Sequence, residues 1–288
     1  MKKYNEGLEL VELNPSDTWG LVMLSASVGW DYDEEEIGTL FSSSSKVFGH
    51  KNFEGKLVSS AAIIPYDKKL ASIGVVIVDN DYRGLGLGKE VTQKCIDSAR
   101  DRSIMLIATA EGKPLYEKLG FTVVDSVHKY LCGEYNPPYL EPLSGITVEA
   151  FNKEHLEDMI KLDGPAFGDM RTSFLRNRIQ QASQSIVVKD QDSKIIGYGL
   201  SILGPVNLIL GPVVAPDYRI AQIIIDRLAC HHQGKLRVDV PSGHEKLMTF
   251  LEQSGFIKVN NPPVMAIHTD KMPTRNHTLF TIASQAYG

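Results

Sequence analysis

Cysteine is scarce in this chain: Cys95, Cys132 and Cys230 are the only three in 288 residues. An odd number at scattered spacing matches neither a disulfide framework nor a zinc-ligand set, so we expect a reducing, cytoplasmic setting and no metal. Long apolar runs are also missing. None approaches the ~20 residues that span a bilayer, and Met1-Lys2-Lys3 leads into polar residues, not a signal core, so no membrane partner is expected. Positive charge is not in excess: 30 Lys and Arg stand against 35 Asp and Glu, a net charge of −5. Nothing resembles a basic stripe, which argues against nucleic acid. What remains is ordinary globular composition, 43% hydrophobic and 23% charged, in a chain long enough for two domains.

The chain is organised around Ile73 to Ala99. Branched apolar residues from Ile73 to Val78 predict a buried strand. Asp79, Asn80 and Asp81 are turn and cap residues. Arg83-Gly84-Leu85-Gly86-Leu87-Gly88 follows, and Leu87, Val91, Cys95 and Ala99 then mark one face of a helix. Strand, glycine-rich turn and helix together bind anions, because glycine lets the backbone approach closely and the first helical N–H groups have no internal partner. Two nucleotide readings fail on residues. Walker A needs Ser or Thr after Gly88-Lys89, where Glu90 stands, and the Rossmann fingerprint lacks its third small residue.

The pattern that does fit is R/Q-x-x-G-x-G/A, met by Arg83, Gly86 and Gly88. Behind Val78-Asp79-x-x-Tyr82 it resembles the acetyl-CoA pyrophosphate loop of the GNAT superfamily of N-acyltransferases. Downstream, Leu115-Tyr116-Glu117-Lys118-Leu119-Gly120-Phe121 looks like the later CoA-binding helix of the same family, with Pro114 at a helix start and Gly120 at a helix end. The resemblance implies a transferase using acetyl-CoA as cosubstrate. Val76, Ile77 and Val78 would pair with the pantetheine, and Arg83, Gly84, Leu85, Gly86, Leu87, Gly88 and Lys89 would hold the pyrophosphate. Tyr116 would be the general acid toward the CoA sulfur. For the general base, Glu111 and the acids Asp33 to Glu36 are both open. Trp30, Asp33 and Glu34 fall where the family builds its acceptor site, although an acidic run is also an ordinary solvated helix start.

The second half repeats the first. Gly145, Phe167, Arg219 and Leu251 follow Gly7, Trp30, Arg83 and Tyr116 at offsets of 138, 137, 136 and 135 residues. The expected fold is α/β with a mixed sheet, as two tandem GNAT-like domains: 1–136, a proline-rich linker 137–144, and 145–288. The second copy has lost the chemistry. Gln222 and Ile224 stand in place of two glycines, and Leu251 stands in place of Tyr116. Its helix signals persist, including Ser242-x-x-Glu245, a candidate capping box. Asp163-x-x-x-Phe167-Gly168-x-x-Arg171, Gly197-Tyr198-Gly199 and Gly211-Pro212-Val213-Val214-Ala215 also resemble the C-terminal half of a tandem GNAT group. Asp163 and Arg171 could reach the acceptor cleft or form a helix-end ion pair.

The resemblance therefore implies acetyl transfer to a small-molecule or peptide-like amine in a ternary complex, by a monomer or homodimer whose second domain is structural or shapes the acceptor site. The alternatives are a non-catalytic acyl-CoA-binding sensor or scaffold, and a protein lysine acetyltransferase.

Overall fold

The structure, a computed structural model, describes residues 7–42 and 45–287; the polar start at Met1–Lys3 lies outside them. The first strand, β1, is Glu9–Leu13. Asn14 then caps a short 3-10 turn by accepting from the Ser16 N–H, and α1 (Thr18–Ser27) follows. Only Leu21, Leu24 and Ser25 of α1 are buried, whereas Trp19 and Met23 are exposed, so the stripe they mark is the outer one. The first half continues with α2 (Glu34–Ser42), β2 (Lys46–Lys51), β3 (Leu57–Pro65), β4 (Leu70–Val78), α3 (Leu87–Asp97), β5 (Ser103–Ile107), α4 (Lys113–Lys118) and β6 (Thr122–Cys132).

The second half repeats this order with β7 (Ile146–Ala150), α5 (Leu156–Phe167), α6 (Thr172–Gln181), β8 (Gln184–Asp190), β9 (Ile195–Leu203), β10 (Leu208–Val214), α7 (Tyr218–Ala229), β11 (Leu236–Pro241) and α8 (Glu245–Gln253). Then come β12 (Ile257–Asn260), β13 (Pro263–Ile267) and β14 (Leu279–Thr281). Even the capped turn recurs, with Asn152 accepting from the Glu154 N–H. One expectation fails. Ser242 does not cap α8, whose N-cap is His244 with no side-chain bond. The Ser242 hydroxyl lies instead 2.8 Å from that of Ser126 and 3.0 Å from His128 Nε2, because the end of β11 is stitched to β6 there.

All strands join one mixed sheet, in the order β1-β2-β3-β4-β5-β13-β6-β11-β10-β9-β8-β7, with β12 against β6 and β14 against β10. The halves exchange strands at the join. β13, late in the chain, lies between β5 and β6, with Val264 opposite both Ile107 and Asp125. β6, from the first half, pairs its residues 127–132 with β11 and 129–131 with β12. A strand of 11 residues allows this; at ~3.3 Å per residue it is roughly 36 Å long. The helices α1, α2, α5 and α6 share one core on a single face of the sheet, joining Leu21, Ile37, Phe167, Phe174 and Tyr287. On the other face, α3 and α4 pack around Val91, Cys95 and Tyr116, and α7 and α8 around Ile224, Leu228 and Phe250. No helix among the described residues is long and apolar enough to cross a membrane.

Polar contacts lock the halves. Arg178 of α6, fully buried, pairs with Glu36 of α2 and donates to the Ala283 carbonyl at 3.2 Å. Asp169 accepts from the N–H groups of Lys68, Lys69 and Leu70 at 3.2, 2.8 and 3.0 Å, fixing the β3–β4 turn. Burial raises the Asp169 pKa, but these donors and the Met170 N–H outweigh it and hold the carboxyl below its ordinary range. A depressed folded pKa contributes stability above the unfolded value of about 3.9, and that contribution is lost as pH falls through the folded value. Asp169→Asn is expected to cost about 1–3 kcal/mol at pH 7 in urea denaturation, with the gap to wild type closing in strong acid.

Candidate active site

β4 and β5 run parallel but pair only where Leu70–Ser72 meets Ser103–Met105. Beyond that point they part, and Ile73–Val78 forms one arm of a V-shaped cleft whose other arm ends at Ile107. Within the open arm the ladder to β3 is broken. Ser60 pairs with Ile77 and Ala62 with Gly74, so Val75 and Val76 bulge opposite Ala61. Val75 sits at φ +53°, a strained value for a β-branched residue, and Ser60 Oγ donates to its carbonyl at 2.8 Å. A bulge takes backbone groups out of the ladder and re-aims them. Val76 and Val78 are half-buried, and Ile77 faces the core.

At the open end of β4 stands the glycine-rich loop. Gly84 and Gly86 adopt φ +80° and +88°, and Gly86 caps α3 with no side-chain bond. The N–H groups of residues 84–88 donate to no acceptor among the described residues. Arg83 and Lys89 flank them, both exposed and in no ion pair among the described residues. Five free amides at a helix N-terminus between two cations make an anion cradle. A Cβ on Gly88 would come within 3.3 Å of Val78 Cγ2 and 3.4 Å of Leu115 Cδ2, so the cradle is pressed against β4 and α4. Glu90, which rules out a Walker motif, reaches His50 Nε2 at 3.1 Å, and His50 Nδ1 lies 2.7 Å from Ser59 Oγ. That chain ties the first turn of α3 to β2 and β3.

Tyr116 projects from α4 into the core beneath α3, against Phe121 at 6.0 Å between ring centroids. Burial, then Cys95, raises its pKa above the ordinary phenol value, so it stays protonated. Its hydroxyl has no partner among the described residues. Gly112 leaves room for the ring, since a Cβ there would meet Tyr116 Cε2 at 2.9 Å. Glu111 is exposed in the turn before α4, with no ion pair among the described residues. The acids at α2 are apart from it. Asp33 accepts from the Glu36 N–H at 2.8 Å as a helix cap, Glu36 is held by Arg178, and Glu34 points to solvent. Trp30 packs half-buried against the Tyr32 ring at 6.0 Å, on the edge of the shared core. The structure thus groups Val76–Val78, the loop 83–89 and α4, and leaves Glu111 and Glu34 on the surface.

The second half has closed its own version of this cleft. β10 and β11 also pair only briefly, Leu208 with Leu236 and Ile209 with Arg237. Strand β14 then fills the gap, pairing Val213 with Thr281 and Val214 with Leu279, while the Ile282 N–H donates to the Asp239 carbonyl at 3.0 Å. At the start of α7 the Asp217 carboxylate accepts from the N–H groups of Arg219 and Ile220 at 2.8 and 3.1 Å, so a fixed carboxylate occupies the anion position. Ile224, which the sequence repeat sets against Gly88, is the seventh residue of α7, well past the helix start, and its Cγ2 is 2.3 Å from the position a Cβ on Gly199 would take. Nothing in the sequence patterns read above marks Leu279–Thr281 as a strand; its short apolar run was the only available signal.

Comparison with known proteins fits this geometry. A model of the acetyltransferase (GNAT) family matches residues 18–121, and one of an acetyltransferase (GNAT) domain matches residues 159–281. An uncharacterized N-acetyltransferase of Bacillus subtilis, YitH, is 38% identical over 282 residues, spanning 97% of this chain and 98% of that protein. The chain belongs to the GNAT acetyltransferase family. It is an acetyl-CoA-dependent acyltransferase with two GNAT domains in tandem. A shorter likeness, 34% over 85 residues, covers 26% of this GNAT chain and 57% of a glucosamine 6-phosphate N-acetyltransferase of Trypanosoma brucei brucei. Among solved structures, a putative acetyltransferase from Pyrococcus horikoshii superposes with a TM-score of 0.79 at 19% identity, over 98% of this chain and 96% of that one. A tandem GNAT protein from the clavulanic acid biosynthesis pathway gives 0.67 at 12% identity, over 90% and 98%. At these identities the two structures speak for the fold alone.

Proposed function

We propose that the first half transfers an acetyl group from acetyl-CoA to a primary amine by direct attack, with both substrates bound together. The observation that carries this is the open V between β4 and β5, with free amides at its mouth and an unpartnered phenol beside it, against a V in the second half that is filled by β14. The amides of residues 84–88, with Arg83 and Lys89, hold the diphosphate. The exposed edge of Val76–Val78 pairs with the pantetheine. A backbone N–H freed by the bulge, at Val76, stabilises the oxyanion as the amine adds to the thioester carbon; one such donor is worth about 100- to 1000-fold in rate. A C–N bond forms and the C–S bond breaks. Tyr116 gives its proton to the departing sulfur, and the amine loses one to a base, for which Glu111 through water and the α2 acids are the candidates. The second half serves as scaffold and as a wall of the acceptor site.

A thiolate is already a fair leaving group, and a phenol of raised pKa is a weak acid, so Tyr116 contributes at the low end of general-acid effects. Tyr116→Phe is expected to lower kcat about 100-fold and leave the affinity for CoA unchanged. Thiol release from acetyl-CoA over a panel of amines checks this. Undiminished turnover would remove Tyr116 from the chemistry, and acetyl label found only on protein would point to lysine acetylation.

A further inference from the structure

We propose that Ser60 is a positioning residue for the transfer: its hydroxyl holds the peptide between Val75 and Val76 so that the Val76 N–H points into the cleft. This rests on the acetyl-transfer reading above and says what keeps its oxyanion donor aimed.

Strand β4 changes phase at the bulge. In a regular strand residues two apart share a face. Here Ala71 and Ile73 pack with α3 and α4, whereas Val75 and Ile77 pack in the core on the opposite face. The reversal is made at Val75, whose φ of +53° is left-handed, a conformation that its branched Cβ resists. Such a residue stays there only where its surroundings hold it. Ser60 supplies that hold. It is fully buried, and its backbone is fixed on both sides, opposite Gly49 of β2 and Ile77 of β4. From this rigid place its Oγ donates to the Val75 carbonyl at 2.8 Å.

That one bond sets a second group. The Val75–Val76 peptide is trans and planar, so its C=O and N–H point in opposite directions. Strand β3 lies on one side of β4, and beyond Ser72 the open V lies on the other. With the carbonyl turned to Ser60 on β3, the N–H of Val76 is turned to the V. Rotation of this peptide swings both groups together, and the Ser60 bond opposes it. The chain just before the bulge is held as well. The segment after β14 crosses Gly74 so closely that a Cβ there would lie 2.6 Å from the Ala286 carbonyl oxygen, and Ser72 Oγ donates to the Tyr287 carbonyl at 3.2 Å. The bulge is therefore held from two directions. An oxyanion donor works by being aimed before the charge develops, so that nothing has to reorganise during the reaction.

The test compares Ser60→Thr, which keeps a hydroxyl, with Ser60→Val, which has the same shape without one. The oxyanion forms only toward the transition state, so the loss belongs in kcat and not in binding. Ser60→Val is expected to lower kcat about 10- to 100-fold, less than the roughly 100- to 1000-fold that loss of a whole donor costs. Its KM for acetyl-CoA, and its affinity for CoA by calorimetry, should stay within about twofold of wild type, which also shows that it folds. Ser60→Thr should retain most of the wild-type kcat. If Ser60→Val does not fold, Ser60→Ala, which adds no bulk, carries the same comparison. Equal kcat for the variants with and without the hydroxyl, or a loss that lies in CoA affinity instead, would overturn the inference and leave acetyl transfer intact. If the wild type acetylates no amine, the reaction assignment fails instead, and NMR of isotope-labelled valine amides decides for Ser60. A shift of the Val76 amide that acetyl-CoA produces and CoA does not, lost without the hydroxyl, supports the inference. No such difference in the wild type, or one that survives removal of the hydroxyl, refutes it.

Discussion

Gly88→Ile is expected to weaken CoA binding about 1000-fold. The substitution introduces the residue that the sequence repeat sets against Gly88, Ile224, in a half whose helix start is closed by Asp217. At Gly88 even a Cβ would lie 3.3 Å from Val78 and 3.4 Å from Leu115, so the longer branches of isoleucine must displace the first turn of α3 or project toward the ligand. Either way two amide bonds to the diphosphate are lost. Hydrogen bonds to a charged group contribute about 1.5–3 kcal/mol each, which gives a loss near three powers of ten. Titration with CoA reads the affinity, and a thermal melt shows whether the domain still folds. An affinity within about threefold of wild type, in a folded variant, would remove the loop from the binding site.

The second large effect concerns stability. Asp163→Ala is expected to destabilise the protein by about 3–5 kcal/mol, the usual result of leaving one partner of a buried ion pair behind. Asp163 is 2% exposed and Arg171 3%. Removing the carboxylate leaves a buried guanidinium without its counterion and Tyr198 without its acceptor. Against a typical total of about 5–15 kcal/mol, this is a large share. The double variant Asp163→Leu with Arg171→Met should regain most of the loss, because apolar groups of similar volume need no desolvated charge. Urea denaturation of the single and double variants measures both; a single variant within about 1 kcal/mol of wild type would contradict the account.

Legibility differed from element to element. The loop 83–89 was readable because each glycine answers a local demand: a positive φ at Gly84 and Gly86, and close approach at Gly88. Apolar character alone does not place the residues of α1, since Trp19 and Met23 are apolar yet outward. Ser242 was misassigned because a hydroxyl with two available roles takes the one its neighbours offer, and here those neighbours are Ser126 and His128.

By itself the sequence determined the repeated strand–helix order, the anion-binding turn in the first copy and its erosion in the second, because these depend on residue types a few positions apart. Only the tertiary structure decided that β6 and β13 change places between the halves and that β14 seals the second cleft. Those outcomes depend on which edges and charges meet across more than a hundred residues, and spacing along the chain does not encode which meetings win.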